Sequence, residues 1–318
     1  MKTKLLIIAL IVAMMPLSAC NSTKTEVSND SYLQASTLTA ASDEPTFTKK
    51  LNLARFHGID NELGVRIFYT QSNTQEVKFE GSESVFDKIT FKVENGILKM
   101  DKKTRENPHN TNFRFTLRIS APNISQIENN GSMEFHAARW KAGDINIESN
   151  GSMSMLANIT QCGKLKMENN GAFRFDNGQV TAESVQIENN GSSRISVPFN
   201  VKGYIKVENN GASRMNGRIK AKGYKEESSG SANSDIDVEA DQLDLEVDGA
   251  GTYKANFKGN QAKIEGAGSI KLNINVDCTN LNITSDGVSK IAVSGTADKV
   301  SVENDGVTKV DTSMLNKL

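Results

Sequence analysis

Ile-Glu-Asn-Asn-Gly at 127–131 decides the fold, because it does not occur once. It returns as Ile147–Gly151, Met167–Gly171, Ile187–Gly191 and Val207–Gly211, and degenerate copies end at Gly230, Gly251, Gly268, Gly287 and Gly306. The glycines follow one another at intervals of 20, 20, 20, 20, 19, 21, 17, 19 and 19 residues. Repetition at such a period marks a stacked array. With the glycine as position zero, position −4 reads Ile127, Ile147, Met167, Ile187, Val207, Glu226, Val247, Ile264, Ile283 and Val302. Positions −6 and +4 are also mostly apolar. Apolar residues thus recur with period two on both sides of the glycine, which is strand periodicity.

Each copy reads as strand, tight turn, strand, and about nine residues that return the chain. Such a unit cannot bury its own inward face, but stacked copies bury one another's. The expected fold is all-β: a single-stranded parallel β-helix of about ten coils of ~20 residues, with an N-terminal β cap. Right-handed coiling follows from the rule for parallel crossovers. Asn130, Asn150, Asn170, Asn190 and Asn210, each followed by Gly131, Gly151, Gly171, Gly191 or Gly211, suit a corner, since both residue types tolerate left-handed backbone. Stacked at strand spacing, their amides form a ladder. A row of sugar-binding amides is the functional alternative.

Two charged files flank the corner. Position −3 is acidic in nine of ten copies, and position +3 is basic in seven, Arg174 to Lys309. Six copies carry both, which predicts ion pairs across the corner that fix register. Glu128, Glu134 and Glu148 lie in the first two coils, which have no base at +3, and they are the candidate cation or binding stripe. Coil six breaks the pattern by placing Glu226 and Ser234 in apolar files, and a bulge or irregular loop is the expected cause, with a functional site as the alternative. Cys162 and Cys278 both fall at position −9, six coils apart, so they are predicted to be unpaired thiols.

The chain begins MKTKLLIIALIVAMMPLSAC. Lys2 and Lys4 precede an apolar run about half the length of a bilayer span, so residues 1–19 read as an export signal. The ending Leu17-Ser18-Ala19-Cys20 resembles a bacterial lipoprotein signal, which makes Cys20 the lipid anchor and the outer membrane the expected address. Residues 20–50, rich in Ser, Thr and Asn, read as a disordered tether. Residues 51–120 lack the glycine motif yet alternate like strands, and eight of the thirteen Phe lie before residue 116, so this stretch reads as the cap. Residues 121–318 are the β-helix proper.

Within the cap, Phe56-His57-Gly58-Ile59 is followed by a Val65–Thr70 strand and by Val77-Lys78-Phe79-Glu80-Gly81. Val93-Glu94-Asn95-Gly96-Ile97-Leu98 and Leu117-Arg118-Ile119-Ser120-Ala121-Pro122-Asn123 come next. This order resembles the auto-transporter adhesin head (GIN) domain family of bacterial envelope proteins, over roughly residues 51–310. The resemblance implies a β-helical, exported, often lipid-anchored head with an adhesive role, and it brings no catalytic residues.

Composition narrows the function. The chain has 37 basic and 38 acidic side chains, a formal charge of −1, which becomes −3 once Lys2 and Lys4 leave with the signal. Such balance argues against nucleic acid as a partner. Three His (His57, His109 and His136), none at metal-ligand spacing, leave no metal site and no cofactor to expect. The acids follow the repeat and do not gather at one point, which weighs against a polysaccharide-degrading β-helix enzyme. The reading is a non-catalytic envelope module that binds a cell-surface glycan or an envelope protein and meets the membrane through its lipid. A pure scaffold and a homo-oligomer remain as alternatives.

Overall fold

Ile127 lies beside Ile147, Ile147 beside Met167, Met167 beside Ile187 and Ile187 beside Val207, all in parallel pairs. The file continues through Glu226, Leu245, Ile264 and Ile283 to Val302. Like positions therefore stack one strand spacing apart, and the fold is a parallel β-solenoid. The computed structural model describes residues 47–103 and 113–317. The signal, Cys20, the tether up to residue 46, and His109 lie outside the described residues.

Each coil has a leading wall, made by the strand before the corner glycine, and a trailing wall, made by the strand after it. On the trailing wall Phe135, Met155, Phe175, Ile195 and Met215 stack, followed by Ser234, Tyr253, Leu272 and Ile291. These side chains and the leading file meet between the walls in one continuous core. The return is itself strand: Ser152–Asn169 runs 18 residues, and Ala250–Gly266 and Ser269–Ser285 run 17 each. Register shifts near Ile159 turn the chain there without ending the pairing.

The seventh corner is Gly249, not Gly251. Gly249 sits on Gly230, with a Cβ there 1.9 Å from the Gly230 carbonyl oxygen. The last five intervals thus become a uniform 19 residues. Two glycines two residues apart share the same strand parity, so alternation alone could not separate them. Lys254, read as the +3 base of that coil, is replaced at +3 by Thr252.

The corner glycines also act differently from expectation. Positive φ occurs at Asn95, Asn177, Gly96, Gly217 and Gly295, and at no corner glycine or corner asparagine among the described residues. Close approach sets the requirement instead. A Cβ on Gly151, Gly171, Gly191 or Gly211 would lie 1.9–2.1 Å from the carbonyl oxygen of the glycine one coil earlier. Backbone rests on backbone at this corner, and no side chain fits between.

Residues 58–71, read as part of the cap, form a coil in register with the rest. Gly58–Asn61 pairs parallel with Ile97–Lys102 on one side and with Gln126–Asn129 on the other. Gly64–Gln71 lies likewise between Arg114–Ala121 and Ser132–Lys141. A later stretch of chain therefore stacks outside an earlier one. Beyond it the edges are closed by antiparallel strands: Ile89–Glu94 on the leading wall, and Glu76–Gly81 then Phe47–Leu51 on the trailing wall. Phe79 is buried at the centre of Phe86, Phe91 and Phe115, with ring centroids 5.1–6.1 Å away.

At the other end Lys309–Lys317 has a neighbour on one side only among the described residues. Val302 is accordingly 42% exposed although it occupies the inward file. Cys162 and Cys278 are buried and unpaired, as expected. Burial pushes each thiol up to about 11.

Candidate functional site

Two amide ladders run up the corner. In the outer one, each Asn Nδ2 donates to the Oδ1 of the asparagine one coil earlier: Asn150 to Asn130 at 2.9 Å, Asn170 to Asn150 at 2.8 Å, Asn190 to Asn170 at 3.0 Å and Asn210 to Asn190 at 3.0 Å. Asn130 starts it by donating to Glu62 (2.9 Å), and the Ser229 hydroxyl donates to Asn210 Oδ1 (2.8 Å) at its end. Glu128, Glu148 and Glu188 accept a second hydrogen bond from Asn130, Asn150 and Asn190. These amides spend their donors within the protein.

The inner ladder was not anticipated. Asn61, Asn129, Asn169, Asn189 and Asn209 are buried at position −2 or its equivalent. They donate toward the following coil: Asn61 to Asn129 at 2.8 Å, Asn169 to Asn189 and Asn189 to Asn209 at 2.7 Å, and Asn209 to the Ser228 hydroxyl at 3.0 Å. Asn189 Nδ2 also reaches the carbonyls of Gly191 and Ala212. Position −2 shares parity with −4 and −6, so its inward aim was present in the alternation.

The charged files do not pair across the corner. Among the described residues no acid at −3 bridges to a base at +3. The glutamates instead take the lysine two residues earlier on the same face of the same strand. Lys166–Glu168 is 3.1 Å, Lys206–Glu208 2.6 Å, Lys225–Glu227 2.7 Å and Lys263–Glu265 2.8 Å. Residues i and i+2 share a strand face, whereas the corner sends +3 to the other wall. The Lys225 hydrogen bond holds the Glu227 carboxyl below its ordinary range.

The stripe Glu128, Glu134 and Glu148 is divided by the same corner. Glu128 and Glu148 are neighbours on the leading wall, while Glu134 lies on the trailing wall. Glu134 accepts from Arg66 at 2.8 Å and lies 2.7 Å from His136 Nε2. Burial pushes its carboxyl up, but those two partners outweigh burial and hold it below its ordinary range. The His136 ring stacks on Phe68. Among the described residues no three His, Cys, Asp or Glu gather to hold a metal ion.

Coil six contains no bulge. Gly223–Ser228 keeps register with both neighbours, and Glu226 and Ser234 point into the core. The Tyr224 hydroxyl donates to Glu226 Oε2 at 2.6 Å. Burial raises the Glu226 carboxyl and holds Tyr224 well above its ordinary value.

On the trailing wall Lys220 pairs with Glu239, Lys254 with Asp235 and Lys258 with Asp277, but the +3 file of that wall is rich in cations. Arg174, Arg194 and Arg214 stack in it, as do Lys271, Lys290 and Lys309. Asp176 pairs with Arg174 and reaches Arg194 at 3.8 Å. Beside the lysines an open groove of about 400 Å³ is lined by Lys254, Asn256, Asn273, Asn275, Ser294 and Asp311, among others.

The family model described as "Putative auto-transporter adhesin, head GIN domain" matches residues 55–198. No curated protein matches the chain. A solved structure described as a putative adhesin from Bacteroides fragilis is similar at 14% identity, covering 85% of this chain and 97% of that one, with a TM-score of 0.37. One from Parabacteroides distasonis, likewise described, shows 14% identity, 84% and 98% coverage and a TM-score of 0.46. Another from P. distasonis, described as a putative lipid binding protein, shows 11% identity, 84% and 96% coverage and a TM-score of 0.40. The matched segment takes in the coil of residues 58–71, the capping strands Glu76–Gly81 and Ile89–Glu94 and the first Asn-Asn-Gly corners, and over residues 55–198 the chain matches the head GIN domain family.

Proposed function

We propose that the protein is a non-catalytic, adhesin-like module of the cell envelope, anchored by lipid on Cys20, that binds a surface glycan or an envelope protein through its trailing wall. The observation that carries this reading is the uneven treatment of charge. Glu168, Glu208, Glu227 and Glu265 of the leading wall take lysines beside them, while among the described residues Arg214, Lys271, Lys290 and Lys309 in the +3 file of the trailing wall enter no ion pair and lie next to an open polar groove. The head-domain family adds support for an envelope address.

Two measurements test it. The full-length chain should bind a subset of a glycan array or whole cells without shortening any glycan. Depolymerisation of a bound polymer would make it an enzyme instead. In an exporting bacterium, Cys20→Ser should abolish incorporation of labelled fatty acid and release the chain from the membrane fraction. Unchanged labelling would remove Cys20 as the anchor.

A further inference from the structure

Position +3 of the trailing wall forms a single file along the solenoid. Arg174, Arg194, Arg214, Asn233, Thr252, Lys271, Lys290 and Lys309 are successive register partners. Six of these eight are cations, and all six are exposed. Seven strand spacings of ~4.8 Å make the file about 34 Å long.

Like charges opposed on neighbouring strands destabilise a sheet. The protein does little to relieve them here. Asp176 serves two arginines at one end. At the other end Asp311 feels Lys309 and Lys290, although its first hold is a hydrogen bond from Ser313. Among the described residues Arg214, Lys271, Lys290 and Lys309 enter no ion pair. A lysine two residues from a glutamate solves the same problem on the leading wall, whereas along this file Arg174 with Asp176 is the one cation paired in that way among the described residues.

We propose that this file is a track for a linear acidic polysaccharide, laid parallel to the solenoid axis, whose carboxylates or sulfates meet successive cations. The proposal rests on the adhesin-like reading above and names its ligand class. Hydroxyl and amide groups suited to sugar hydroxyls border the track at Ser192, Ser196 and Asn216, and the groove beside Lys271 and Lys290 adds Asn273 and Asn275. Single-stranded nucleic acid would want aromatic platforms. The exposed large aromatic among the described residues is Tyr204, which lies on the leading wall. The glutamate file of a second copy is a poor occupant, because its own lysines already hold four of its members.

The test titrates the full-length chain with polygalacturonate, heparin and uncharged dextran at low and at physiological salt. Both anionic polymers should bind, dextran should not, and added salt should weaken binding. Arg194→Gln with Arg214→Gln, and separately Lys271→Gln with Lys290→Gln, should each weaken binding by about tenfold or more and make it less sensitive to salt. Neither pair should lower Tm, since each removes stacked like charge. Lys206→Gln on the leading wall should leave affinity unchanged. Undiminished binding by the track variants overturns the proposal, as does equal affinity for duplex DNA, or self-association that the track variants abolish. If the chain holds a neutral glycan or cells and the track variants do not alter this, the track fails and the adhesin reading stands. If it binds no glycan and no cell, both fall.

Discussion

Asn189 shows what one side chain does in a stacked fold. Its amide donates to Asn209 and to two carbonyls, and its Oδ1 receives Asn169. Asn189→Ala leaves the buried Asn209 Oδ1 on the following coil without its donor, so a loss of about 3 kcal/mol is expected in urea unfolding. Asn190→Ala, in the exposed ladder, should cost about 1 kcal/mol or less, because water can replace the lost bonds. Gly171→Ala puts a methyl 2.0 Å from the Gly151 carbonyl oxygen, and a backbone cannot yield as a side chain does. A loss above ~3 kcal/mol follows, read by the same assay. Glu226 sets a pH dependence. Burial raises its folded-state value above the ordinary 4.5, so the folded chain binds the proton more tightly than the unfolded one. Its contribution is complete below that ordinary value and is lost as pH rises through the folded-state value, at about 1.4 kcal/mol per pH unit between the two. Glu226→Gln should flatten that slope in denaturation midpoints taken from acid to neutral pH, and an unchanged slope would clear Glu226 of the effect.

The strands explain both what could be read in advance and what could not. Alternation at −4, −6 and +4 names the inward files because a strand face repeats every two residues. The same rule left Gly249 and Gly251 indistinguishable, and it also carried the inner Asn ladder, whose parity was inward while its polarity suggested the surface. Ion partners were misplaced because the copies align acid and base in sequence across a corner that parts them in space. A double-mutant cycle checks this. Lys206 with Glu208 should couple by about 0.5 kcal/mol, and Glu208 with Arg214 by nothing measurable. A coupling for the second pair as large as for the first would restore the cross-corner ladder. The candidate site was partly legible: the +3 cations were visible, but their lack of partners depended on where Lys166, Lys206, Lys225 and Lys263 had already gone.

Over the whole solenoid, the two ends differ. The coil of 58–71 is flanked on both sides and closed off by antiparallel strands, whereas among the described residues Lys309–Lys317 meets one neighbour. The stacking of a later stretch outside an earlier one has no local signal, because only long-range pairing sets it. In a linear array each coil draws its stability from its neighbours, so opening should begin at the open edge. Hydrogen exchange should therefore be fastest in Lys309–Lys317 and slowest in the strands around Ile59 and Ile127, and uniform protection would refute the asymmetry. The glycine corner carries a last consequence. Where one backbone seats on the next through a contact that is the same at every storey, excising one twenty-residue module brings together two surfaces already shaped for each other. Gene rearrangements that drop or duplicate such a module could shorten or lengthen this protein by a single pitch and leave every other joint as it was.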